Sequence, residues 1–119
     1  MQTAVLDAID DPSLRAYVCW VPVLPEDVEA PDEEALALVP DRRARHFWDA
    51  EGHLTKLFHS VLQLPADWPA RDVYLVYPPG VAWGEEPPSP SYWEHQLGEL
   101  PLAPMLNGET FRARLQSFL

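Results

Sequence analysis

Cysteine occurs once, at Cys19, so the chain can neither close an internal disulfide nor run a two-cysteine exchange cycle. Basic residues are also scarce: 8 Lys and Arg stand against 19 Asp and Glu, for a net charge of -11. Such a surface repels nucleic acid and anionic membrane, and both are excluded as expected partners. Glycine is sparse, at 5, and the phosphate-cradling patterns G-x-x-x-x-G-K-[ST] and G-x-G-x-x-G do not occur. H-E-x-x-H, C-x-x-C and G-x-S-x-G are missing too, and no cofactor is expected. No apolar run approaches the roughly 18 residues that span a bilayer. Residues 1–14 lack the basic-then-apolar build of a signal peptide and carry Asp7, Asp10 and Asp11 instead, so the expected location is cytoplasmic.

What is present is globular: 119 residues, 47% hydrophobic and 11% aromatic. Proline is abundant, at 14, which argues against a helical bundle and for short elements joined by stiff loops. Residues 1–14 are read as an N-terminal extension with one helical turn (Val5, Leu6, Ile9), and 15–119 as a single domain. Ala16 to Val21 is a continuous apolar run and is expected to be an inner strand covered on both faces. Six of the nine residues from Glu26 to Glu34 are acidic. Pro31 followed by Asp32, Glu33 and Glu34 predicts a helix start, with proline at the first position, and Pro40 ends that helix.

Arg42 to Trp48 alternates like a strand near a sheet edge. Asp49 is placed to cap a helix whose apolar stripe is Leu54, Leu57, Phe58, Val61 and Leu62. Val73 to Tyr77 is a second two-faced apolar run and is expected to be a second inner strand. Residues 78–90 hold five prolines around Trp83 and predict a rigid loop. Tyr92 to Leu97 predicts a last strand. Asn107 is a good N-cap for a final helix, with Leu106 and Phe111 at staple positions and Leu115 and Phe118 continuing its stripe.

This order, βαβαββα, resembles the thioredoxin fold. The likeness begins at Tyr17-Val18-Cys19-Trp20-Val21-Pro22, similar to the end of the strand that leads into the thioredoxin active-site turn. "PDRRARHFWD" (40–49), "RDVYLVYPPGVAW" (71–83) and "YWEHQL" (92–97) resemble a group of small bacterial proteins with thioredoxin-like organisation and no assigned activity. The resemblance implies an α/β three-layer sandwich around a central mixed four-stranded sheet. Setting Trp20 on the family's tryptophan puts Leu24 and Asp27 where the two redox cysteines would stand, and Asp72 where the cis-proline would be. Dithiol chemistry is thereby excluded.

Four groups of residues are candidates for function. Trp83, Tyr92 and Trp93 flank the proline-rich loop, where aromatics either anchor a partner or cap the core. The corner at Leu24 and Asp27, within Pro22–Asp32, is the other candidate docking surface. Cys19 could act as a lone redox or metal-capturing thiol, although a central-strand cysteine is expected to be buried and inert. His46, Asp49 and His53, with Glu51 and His59, are the densest set of metal-ligating types. Their spacing fits poorly, since His53 and His59 project roughly 120° apart on a helix. The expected function is a redox-inactive, non-catalytic module that binds a protein partner or forms a homo-oligomer. The alternative is a single-thiol redox or metal-handling protein using Cys19.

Overall fold

The computed structural model describes residues 1–22 and 29–119. Within them the chain forms β1 (Ala16–Trp20), α1 (Glu33–Leu36), β2 (Ala44–Trp48), α2 (His53–Val61), β3 (Val73–Val76), β4 (Tyr92–His95) and α3 (Gly108–Gln116). One π-helical turn, Gln2–Leu6, precedes them. The chain divides into two compact units, Met1–His53 and Leu54–Leu119. No helix of the described residues is long and apolar enough to cross a membrane.

In the first unit, β1 and β2 run parallel in register from Ala16 opposite Ala44 to Trp20 opposite Trp48. Val5, Leu6, Ile9 and Leu14 of the N-terminal segment are buried. Arg43 fastens that segment through its guanidinium. It donates to the carbonyls of Leu6 (2.7 Å), Ile9 (2.6 Å) and Asp11 (3.1 Å) and forks onto both oxygens of Asp41. Five donors in a fixed plane suit this task, which an ammonium could not reproduce. Ahead of α1, Asp32 is the cap, accepting from the Ala35 N–H at 2.9 Å. Pro31, predicted at the first helical position, therefore lies outside the helix.

In the second unit, β3 and β4 are antiparallel, from Val73 opposite His95 to Val76 opposite Tyr92. Their core is Phe58, Leu62, Leu64, Ala70 and Leu100, with Leu54, Val61, Trp68, Val73, Leu75, Trp93 and Leu97 packed against it. The predicted stripe of α2 supplies its centre. That helix ends in a Schellman turn: Leu64 N–H reaches the His59 carbonyl and Gln63 N–H the Ser60 carbonyl, with Gln63 at φ 56°. Asn107 caps α3, its side chain accepting from the N–H groups of Glu109 and Thr110, and Phe111 is buried beneath it.

The expected three-layer sandwich around a central four-stranded sheet is overturned. The strands form two separate two-stranded sheets, one parallel and one antiparallel. Nor is β1 an inner strand. Its inward residues are half-buried, while Tyr17 is 65% exposed and Cys19 is exposed. An apolar run of Tyr, Cys and Trp carries strong β propensity without specifying a neighbour on each side. All three side chains tolerate a half-wet face. Val76 is the one residue of β3 that is fully enclosed.

Candidate functional site

The loop from Pro78 to Pro90 is built to hold one aromatic side chain outward. Pro78 and Pro79 end the β3 segment, and Gly80 turns the chain at φ 81°, where a side chain would be strained. Ser91 N–H donates to the Val76 carbonyl at 2.9 Å and closes the base of the loop. Tyr77 spans it, its hydroxyl donating to the Pro88 carbonyl at 2.7 Å. Burial pushes the Tyr77 phenol up to about 12, so it remains a donor through the neutral range.

Trp83 sits on this frame. Its ring meets Phe58 edge-on at 5.7 Å and Tyr77 at 5.6 Å, yet the residue is 52% exposed. Trp83 thus packs against Phe58 of the core while about half of its surface faces water. Val81 is exposed beside it, as are Glu85 and Glu86. Tyr92 and Trp93, the other two predicted anchors, are half-buried. Tyr92 packs on Phe111, lies under the Arg114 guanidinium at 4.7 Å and donates its hydroxyl to Glu94. Trp93 packs against the core around Phe58. Leu24 and Asp27 lie outside the described residues.

Cys19 is exposed on the outward face of β1, beside Tyr17 and opposite Phe47. Partial desolvation, reinforced by the Asp49 carboxylate, pushes its thiol above the usual range. Access is therefore present but thiolate is suppressed. His46 has both ring nitrogens engaged: Nδ1 accepts from the Trp20 indole N–H at 3.0 Å, and Nε2 meets the Val39 carbonyl at 2.9 Å. That pairing requires the neutral Nε2–H tautomer and leaves no lone pair for a metal. Asp49 accepts from the His53 N–H, and His53 pairs with Glu51 in full exposure. His59 meets the Pro65 carbonyl at 2.9 Å. Among the described residues, no three His, Cys, Asp or Glu gather as a metal site.

Sequence reasoning missed one buried polar pair. Glu94 and His95 are both 0% exposed. Glu94 accepts from the Asn107 N–H (2.7 Å), the Thr110 hydroxyl (2.9 Å) and the Tyr92 hydroxyl, and so ties β4 to the start of α3. His95 Nδ1 accepts from the Leu97 N–H at 3.1 Å, while Nε2 donates to the Ala103 carbonyl at 2.9 Å. With every group satisfied internally, the pair organises the fold and presents no reactive atom. Its signal was available: a Glu-His step inside an otherwise aromatic strand needs partners, and Asn107 and Thr110 at a helix start could supply them.

Beside Arg43 runs a shallow groove of about 760 Å³ that includes Asp7, Asp10, Arg15, Arg42 and Arg45 in its walls. Four aspartates and four arginines line it, so their formal charges balance and it favours neither anion nor cation. No family model, curated protein or solved structure matches the chain.

Proposed function

We propose that this chain is a non-catalytic module that docks a protein partner through the Pro78–Pro90 loop, with Trp83 as the anchor. The observation that carries the reading is the Trp83 ring, seated on Phe58 and Tyr77 while half its surface faces water. A loop holding five prolines and braced by the Tyr77–Pro88 hydrogen bond has little freedom left to lose on binding. Tryptophan is among the residues that dominate binding energy at protein interfaces. A distinct partner is favoured over a second copy, because two chains of charge -11 repel each other.

The test is site-specific photocrosslinking in native cells. A photoreactive residue at Ala82 is expected to give an adduct with a second protein, and one at exposed Glu109 is not. Trp83→Ala is expected to remove the adduct, as loss of an anchor worth about 2 kcal/mol or more would. Adducts that persist in Trp83→Ala, or none at all, would overturn the reading.

Cys19 supports a second reading, a single-thiol protein, because the sulfur is accessible. Its raised pKa works against that reading, since the thiolate is the nucleophile.

A further inference from the structure

Resting on the docking loop just described, we infer the chemistry of its partner: a cationic, arginine- or lysine-bearing segment of another protein, laid over Trp83 and paired with Glu85 and Glu86. The first support is the indole itself. Tryptophan is the best aromatic face for a guanidinium or ammonium, and about half of this residue is open. The chain already uses this chemistry once, where Arg114 lies 4.7 Å above the Tyr92 ring.

The second support is charge. From Asp72 to Phe111 there is no lysine or arginine, while Asp72, Glu85, Glu86, Glu94, Glu99 and Glu109 are all acidic. His95, the histidine of this stretch, is buried in its neutral form. Glu85 and Glu86 are exposed two and three residues beyond the anchor, and among the described residues neither forms an ion pair. An incoming cation therefore meets a half-exposed indole and two carboxylates that, among the described residues, no ion pair already occupies. An anionic partner would be repelled, and a neutral apolar one would have to desolvate both carboxylates without compensation.

The experiment is calorimetric titration of the full chain with two synthetic peptides, one alternating Arg and Ser, the other Glu and Ser, at about 50 and about 150 mM salt. Three variants accompany the wild type: Trp83→Ala, the double change Glu85→Gln with Glu86→Gln, and a control, Glu33→Gln with Glu34→Gln, in the chain's other acidic stretch. The Arg peptide is expected to bind and the Glu peptide not to. Trp83→Ala should weaken binding about tenfold, and the Glu85/Glu86 double change several-fold with a flatter salt dependence. The control should leave binding unchanged. Should Trp83→Ala fail to fold, judged by circular dichroism, the Glu85/Glu86 variant against the control decides alone.

Equal losses in the control and the loop variants would overturn the inference by reducing it to bulk charge attraction. So would binding indifferent to both loop changes, or a Trp83-dependent dimer in sedimentation of the same samples. Trp83-dependent crosslinks without such peptide binding would remove the cationic assignment alone. Loss of both would remove the docking reading with it.

Discussion

Arg43 and Cys19 show how one side chain's surroundings decide what it does. The hydrogen bonds from the Arg43 side chain, then from its N–H and from Gln2, hold the Asp41 carboxyl far below the usual carboxylate range. A carboxylate with a depressed folded value stabilises above its unfolded value, about 3.9, and loses that contribution as pH falls toward the folded value. The destabilisation caused by Asp41→Asn is therefore expected to be full near pH 6 and to shrink steadily below about pH 4. Urea unfolding of both proteins across that range measures it, and a gap that stays constant with pH would refute it. At Cys19 the shift runs the other way, through desolvation first and Asp49 second. Alkylation by iodoacetamide in the native state is expected to be complete but slower at pH 7 than that of an unperturbed thiol, with a rate that climbs with pH and levels off later than it does for the unfolded chain. Fast labelling at neutral pH would restore the single-thiol reading.

Helix ends and strand partners carry the argument at the scale of elements. The α2 Schellman turn places Gln63 in the left-handed region, where glycine is the residue without a Cβ penalty. Gln63→Gly is expected to stabilise the protein by about 0.5–1 kcal/mol, read as a higher urea midpoint at unchanged slope. Stability lost by that change would mean the turn is held some other way. The terminal helix was legible in the sequence because Asn107, Leu106 and Phe111 stand at capping and staple offsets that few other conformations use. The stripe of α2 was legible for the same reason, since its period is local. Strand pairing was not. Tyr17, Cys19 and Val73 to Tyr77 have the right composition for strands, but which strand lies beside which depends on contacts far apart in the chain. The site divided along the same line. The proline-rich setting of Trp83 could be singled out from its neighbours, whereas the packing of Tyr92 on Phe111 and of Trp93 against the core could not. Glu94 matters because partners thirteen and sixteen residues away converge on it.

For the whole molecule the governing quantity is charge. A net -11 on 119 residues sets the native state against itself, and attractive pairs such as Arg43–Asp41 and the exposed His53–Glu51 offset it in part. Raising salt from about 0.01 to about 0.15 M shortens the screening length from roughly 30 to 8 Å. The melting temperature is expected to rise over that interval. A fall would indicate that attractive pairs outweigh the repulsion.

Two parallel strands, β1 and β2, close no barrel and extend into no larger sheet, so among the described residues each keeps an outer rim of amide and carbonyl groups. Such rims are templates for strands from neighbouring chains, and repulsion between chains of charge -11 opposes that pairing. Added ions, expected to firm up each individual molecule, are thus also expected to lower the barrier between molecules. Storage conditions chosen for heat resistance and those chosen for colloidal clarity will pull in opposite directions.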